Sequence, residues 1–174
     1  MTTTANQKSF TEIINFIRDR FNEQEEFIPL HAPYFGGNEK KYVMDTIEST
    51  FVSSVGAYVT NFEEMMKQIT GAKFAIAMVN GTTALHLAML VAGVKHGDAV
   101  ITQPLTFAAT ANAIVHAGAS PVFIDVDKDT LGLSPVALEE WLKANTSINE
   151  HGCFIHSTVQ RIAACIPMHS FGFP

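Results

Sequence analysis

From residue 73 onward the chain alternates short β-forming runs with helical patterns, most of them closed by glycine. Residues 73–79 (Lys73-Phe74-Ala75-Ile76-Ala77-Met78-Val79), 98–102, 121–125 and 162–167 read as strands rich in Val, Ile and Phe. Between them, 82–93 and 106–117 read as helices stopped by Gly93 and Gly118, and a further helix opens at Ser134 with Pro135 in its first turn. This spacing predicts βαβ units: an α/β fold with a mainly parallel sheet flanked by helices on both faces and joined by right-handed crossovers.

The first 72 residues carry a different rhythm. Phe10, Ile13, Ile14, Ile17 and Phe21 fall on one face of an amphipathic helix, with Ser9 or Thr11 as a candidate cap. Pro29, Pro33, Gly36 and Gly37 make 29–37 an irregular arm. A second helix is expected from Asn38 to Ser49, and a third through Phe62, Met65, Met66 and Ile69, stopped by Gly71. The expected division is a helical extension over 1–27 followed by the α/β domain over 28–174.

Composition narrows the class of function. The 174 residues hold 11 Lys+Arg against 17 Asp+Glu, a net charge of −6 that disfavours a nucleic-acid surface. Cys153 and Cys165 are too few for a disulfide framework and lack zinc spacing, so they read as reduced thiols. No apolar run is long enough to span a bilayer and the Met1-Thr2-Thr3 start has no signal-peptide core. The expected compartment is the cytoplasm.

Two segments carry candidate chemistry. Asn80-Gly81-Thr82-Thr83-Ala84-Leu85 joins an expected strand to a helix start, where unpaired N–H groups gather at the positive end of the helix dipole. Gly81 permits close approach and the Thr82 and Thr83 hydroxyls add donors, which suits a phosphate. A plain helix cap explains the same residues. The segment has no P-loop Lys and no GxGxxG. Gln103-Pro104-Leu105-Thr106-Phe107 follows the next strand, at the edge where α/β sheets collect ligands. The Phe107 ring could stack on a flat cofactor or belong to the core. His86 reads as a hydrogen-bonded structural residue. Asp125 and Asp127 are either an acid pair or turn formers. No histidine pair has metal spacing, and there is no Gly-x-Ser-x-Gly elbow.

Taken in order, Phe35-Gly36-Gly37-Asn38-Glu39, Val52-Ser53-Ser54-Val55-Gly56-Ala57-Tyr58-Val59, Phe62-Glu63-Glu64, the 80–87 stretch, the 105–114 stretch and Pro167-Met168-His169 resemble the DegT/StrS family of pyridoxal-phosphate-dependent sugar aminotransferases. The resemblance runs from about residue 28 to the end and implies the large domain of the aspartate aminotransferase fold (fold type I), truncated after its N-terminal part. It implies that Thr82 and Thr83 hold the phosphate of pyridoxal 5′-phosphate and that Phe107 stacks on its ring. It implies that 37–56 shapes a sugar-nucleotide cleft. Two segments look nearest to the branch that aminates 4-keto sugar nucleotides for legionaminic-acid-like nonulosonates.

The family's Asp-x-x-Gln and its Schiff-base Lys in a Ser-rich loop have no counterpart here. Lys8, Lys40, Lys41, Lys67, Lys73, Lys95, Lys128 and Lys143 all stand in other contexts, so no catalytic residue is assigned. The expected whole is a homodimeric transaminase acting on a 4-keto-6-deoxy sugar nucleotide with glutamate as amino donor, inactive as this chain alone. The alternatives are a non-catalytic binding or assembly module and an unrelated phosphate-binding α/β protein.

Overall fold

The computed structural model describes residues 3–29 and 31–172. Met1, Thr2, Leu30, Phe173 and Pro174 lie outside them, and with them the expectations drawn from the first and last residues. The chain divides into two units, Met1–Met65 and Met66–Pro174.

The first unit is helical. Helix α1 spans Thr3–Phe21, so Ser9 and Thr11 fall inside it instead of capping it. The good helix formers Ala5, Gln7 and Lys8 extend it toward the N-terminus. Its apolar face is uncovered: Phe10, Ile13, Ile14, Ile17 and Phe21 are all exposed. Arg18 turns back at the helix end and donates to the Glu23 and Glu26 carbonyls. Residues 31–37 of the expected arm form no helix or strand. Helix α2, Glu39–Glu48, starts after Asn38, and helix α3 runs Ala57–Thr70 to Gly71 in the left-handed region at φ 70°. Tyr58 donates to Asp45 at 3.0 Å and its ring lies 5.0 Å from that of Tyr42, which ties α2 to the start of α3.

The second unit contains helix α4 (Gly81–Val91), strand β1 (Ala99–Thr102), helix α5 (Ala108–His116), strand β2 (Ser120–Phe123), helix α6 (Pro135–Asn145), strands β3 (Thr146–Asn149), β4 (Gly152–Ile155) and β5 (Arg161–Ile166), and a short turn Ser170–Gly172. The strands form one sheet in the order β2-β1-β5-β4-β3. β1 pairs in parallel with both β2 and β5, as the βαβ reading requires. β3 and β4 form an antiparallel hairpin that adds to β5. That hairpin has no sequence-level counterpart above. Its loop, Glu150-His151, is not one of the turn dipeptides that announce a hairpin, and Gly152 supplies the left-handed residue (φ 130°).

One expected strand is absent. Residues 73–79 are bent or extended backbone outside the sheet, with Phe74, Ile76 and Val79 at 72–86% exposure. Apolar β-formers become a strand only where a ladder and a face receive them, and the five-stranded sheet does not take this run.

The core sits where α4 and α5 pack on β1. Met89, Val94, Val100, Ala113, Ile114, Ala117 and Ala119 are buried together, with Leu85, Ala163, Ala164 and Ile166 packed against them. Both helices end in the same device. Gly93 and Gly118 take left-handed backbone, and the amides behind them, of Val94 and Ala119, reach back to the Met89 and Ile114 carbonyls at 3.0 and 3.1 Å. A side chain at Gly118 would also meet the His96 ring at 2.9 Å. Helix α6 opens as the sequence indicates: Ser134 accepts from the Ala137 amide at 3.2 Å, and Pro135 takes the first position.

At the amino ends of β1 and β5, Arg161 grips Asp98 with two nitrogens, at 3.0 and 2.6 Å, while the Lys95 amide donates to the same carboxylate at 2.7 Å. The Arg161 hydrogen bonds hold the Asp98 carboxyl below the ordinary carboxylate range. A depressed carboxyl stabilises the fold above its unfolded pKa of about 3.9 and loses that contribution as pH falls through the folded value. Urea unfolding followed from pH 7 downward should show stability lost below about pH 4. Asp98→Asn should be less stable at pH 7 and flatter across the acid range.

Candidate functional site

Helix α4 begins on Asn80, whose backbone is extended (φ −163°, ψ 169°) and whose Oδ1 accepts the Thr83 amide at 2.9 Å. The Thr83 hydroxyl donates to the same oxygen at 3.0 Å, and the Ala84 amide reaches the Asn80 carbonyl at 3.1 Å. Two of the first four amides are thereby used. The Gly81 and Thr82 amides and the Thr82 hydroxyl take no protein partner among the described residues. A side chain built at Gly81 would meet nothing within 4 Å outside its own helix start. Three donors converge at the positive end of a helix, which is the chemistry of an anion site. Asn80 and Thr83 make the cap, and Gly81 and Thr82 keep donors to spare. The sequence presents Thr82 and Thr83 as a pair, and Asn80 is the residue that divides them.

Phe107 occupies the N-cap position of α5 (φ −68°, ψ 140°) and accepts the Thr110 amide on its carbonyl at 3.0 Å. Its ring is 77% exposed, so it is not a core residue. Helices α4 and α5 pack on one another, which brings Thr82, Thr83 and Phe107 to the starts of two neighbouring helices. Among the described residues no hydrogen bond or ring contact joins Phe107 to either threonine.

The carboxyl ends of β1, β2 and β5 share one edge because the three strands are parallel. There Gln103, fully buried, follows β1. Its Nε2 lies 3.0 Å from the Leu105 carbonyl, 3.2 Å from the Leu131 carbonyl and 3.2 Å from the Ser170 hydroxyl. Its Oε1 accepts the Met168 amide at 3.1 Å. Thr106 sits beside Met168, with its hydroxyl 3.2 Å from the sulfur and 2.8 Å from the Thr110 hydroxyl. Gln103 opens the candidate segment read from the sequence but carries no role there, because nothing local marks a glutamine after a strand as buried.

The remaining candidates are settled by their contacts. Asp127 accepts the Asp129 and Thr130 amides at 2.8 and 3.1 Å and so forms a turn. Asp125 bonds the neighbouring Val126 amide at 2.8 Å. His86 is half-buried and meets the His116 ring edge-on at 6.1 Å; among the described residues it makes no hydrogen bond of the kind expected. Among the described residues no group of His, Cys, Asp and Glu could hold a metal, and no helix is long and apolar enough to cross a membrane. In the first unit, a groove of about 690 Å³ is lined by Asp45, Ser49, Phe51, Val52, Ser53 and Tyr58 among others, within and just beyond the 37–56 segment.

The sequence profile of the DegT/DnrJ/EryC1/StrS aminotransferase family matches residues 33–174. The chain belongs to that family. It is 42% identical over 119 residues to the GDP-perosamine synthase of Caulobacter vibrioides, covering 68% of this chain and 32% of that one. It is 44% identical over 117 residues to the spore coat polysaccharide biosynthesis protein SpsC of Bacillus subtilis, covering 67% and 30%. Among solved structures, the putative sugar aminotransferase Spr1654 from Streptococcus pneumoniae, in its PLP-form, superposes with a TM-score of 0.56 at 29% identity over 66% of this chain and 29% of that one. The chain therefore spans about a third of the length of the curated relatives it matches. Its α/β fold is that of pyridoxal-phosphate-dependent aminotransferases, and pyridoxal phosphate is the family's cofactor. The donor set at Gly81 and Thr82 fits the phosphate of that group, and the exposed Phe107 ring fits its flat heterocycle.

Asn80→Ala should lower stability by about 1 kcal/mol through loss of the cap. It should also weaken phosphate binding, because Gly81 and Thr82 are no longer held in place. Urea unfolding and a titration with inorganic phosphate check the two effects separately, and Asn80→Asp should retain the stability.

Proposed function

We propose that this chain supplies the phosphate-holding and ring-stacking part of an aminotransferase acting on a 4-keto-6-deoxy sugar nucleotide, within surface polysaccharide or nonulosonate biosynthesis in the cytoplasm. The observation that carries the reading is the set of three unpaired donors at the start of α4, in a chain of this family. The names of the relatives support the substrate class: one is a GDP-perosamine synthase and one a spore coat polysaccharide biosynthesis protein.

When bound, pyridoxal phosphate supplies an electron sink for moving an amino group between an amino acid and a keto sugar. The chain's own residues bind and orient. The Gly81 and Thr82 amides and the Thr82 hydroxyl donate to the phosphate oxygens, with the α4 dipole adding to the attraction. Asn80 and Thr83 hold that helix start in shape. Phe107 offers its exposed face to the heterocycle and excludes water from one side of it. The groove lined by Phe51, Val52, Ser53 and Tyr58 is proposed to shape the cleft for the sugar nucleotide, in line with the 37–56 expectation. Glutamate is the proposed amino donor and a second copy of the protein the proposed partner.

No residue here is proposed to shuttle the proton at the substrate carbon, so the purified chain should bind pyridoxal phosphate without transamination. Thr82→Ala should weaken that binding by roughly tenfold, the equivalent of one charge-assisted hydrogen bond. Borohydride treatment of the chain with pyridoxal phosphate should give only scattered, substoichiometric labelling. Stoichiometric labelling at a single lysine would overturn this assignment of roles. Absence of any pyridoxal phosphate binding, with a sugar nucleotide still bound in a calorimetric titration, would favour a non-catalytic binding or assembly module.

A further inference from the structure

Gln103 is the most heavily committed buried side chain at the carboxyl edge of the sheet, and none of its partners is a neighbour in a helix or strand. It is fully buried, and its amide touches four groups on three separate segments. The first segment is its own loop: Nε2 folds back on the Leu105 carbonyl and closes the turn that leads through Thr106 to Phe107. The second is the loop after β2, reached at the Leu131 carbonyl. The third is the segment after β5. There the Met168 amide donates to Oε1 and the Ser170 hydroxyl accepts from Nε2, so Gln103 holds both neighbours of His169, which is itself exposed.

The two Nε2 hydrogens are shared among three acceptors, and Ser170 completes the ring by donating to the Leu131 carbonyl at 2.7 Å. Leu131 and Phe171 both sit in the left-handed region, at φ 58° and 57°, where residues with side chains are strained. Such backbone persists where its surroundings over-determine it. Leu131 is pinned by two donors to its carbonyl, and Phe171 follows directly on the buried Ser170. A second tie runs beside the first, from the Thr106 hydroxyl to the Met168 sulfur.

We propose that Gln103 is a positioning residue: through Leu105 on one side and Met168 and Ser170 on the other, it makes the Phe107 loop and the 168–170 segment move as one body. Where this bears on the cofactor ring it rests on the function proposed above; the mechanical coupling does not. The phosphate donors at α4 fix where the cofactor is anchored, and Gln103 fixes the platform against which its ring is held. Its removal therefore changes ring geometry more than occupancy.

Two variants separate this role from simple loss of stability. Gln103→Leu removes every bond. Gln103→Glu retains an acceptor for the Met168 amide but sets an oxygen against the Leu105 and Leu131 carbonyls. Amide hydrogen exchange of the whole chain without cofactor reads the Thr110 amide, which reports on the Phe107 carbonyl, and the Met168 amide across the clamp; Leu138 in α6 is the control. In Gln103→Leu both Thr110 and Met168 should exchange about tenfold faster or more, with Leu138 within about twofold of the parent. In Gln103→Glu, Thr110 should accelerate while Met168 keeps its protection. Equal acceleration at all three sites, or acceleration of Met168 alone in Gln103→Leu, would overturn the coupling.

A titration with pyridoxal 5′-phosphate followed by circular dichroism of the bound ring then tests the consequence. Gln103→Leu should keep its affinity within about threefold of the parent and lose induced ellipticity per bound molecule. Loss of affinity with ellipticity unchanged would overturn the positioning role. If the parent chain binds no pyridoxal phosphate, the proposed function fails and the exchange experiment alone decides the coupling.

Discussion

Ala99–Thr102, four residues with almost no contact with water, hold the second unit together. A strand buried on both faces must satisfy its backbone on both edges, and β1 does so through parallel ladders to β2 and β5. Parallel pairing has a geometric consequence. It puts the carboxyl ends of three strands on one side, so the loops that follow them come together whatever their sequence. The amino ends are locked by the Asp98–Arg161 pair, and the carboxyl ends by the Gln103 amide. A charged clamp stands at one end of the ladder and a neutral one at the other. The neutral one lies on the side where the loops carry candidate function.

The start of α4, as the proposed phosphate site, faces two demands. A helix must satisfy its first amides, and a phosphate site must leave some of them free. Asn80 resolves the conflict by taking the third amide with its side chain and the fourth with its carbonyl. The first two remain, together with the Thr82 hydroxyl. Thr83 spends its hydroxyl hydrogen on Asn80 and so serves the geometry of the site. The two threonines look equivalent in sequence and differ in what they have left to offer.

Local patterns announced most of the second unit. The helix ends at Gly93 and Gly118, the Ser134-Pro135 start of α6 and the runs that became β1, β2 and β5 all follow from residue chemistry within a few positions. Failures came where structure depends on a distant partner. Residues 73–79 have the composition of a strand, but composition does not supply a neighbouring ladder, and Phe74 and Val79 stay exposed. The β3–β4 hairpin exists because β5 offers an edge to β4, and its Glu150-His151 loop gives no warning of it. Gln103 is silent for the same reason: its partners lie as far off as Met168 and Ser170, and no pattern around residue 103 points to them. Position and family resemblance singled out Thr82, Thr83 and Phe107 as the candidates for the proposed site. The division of labour between the two threonines needed the hydrogen bonds.

The proposed function depends on the open donors of the α4 start gripping the cofactor's phosphate. Backbone amide chemical shifts of the chain, recorded as pyridoxal 5′-phosphate is added, test it at the atoms concerned. The largest downfield movements should fall on the Gly81 and Thr82 amides. Movement elsewhere in the chain with Gly81 and Thr82 unshifted at saturation would contradict it.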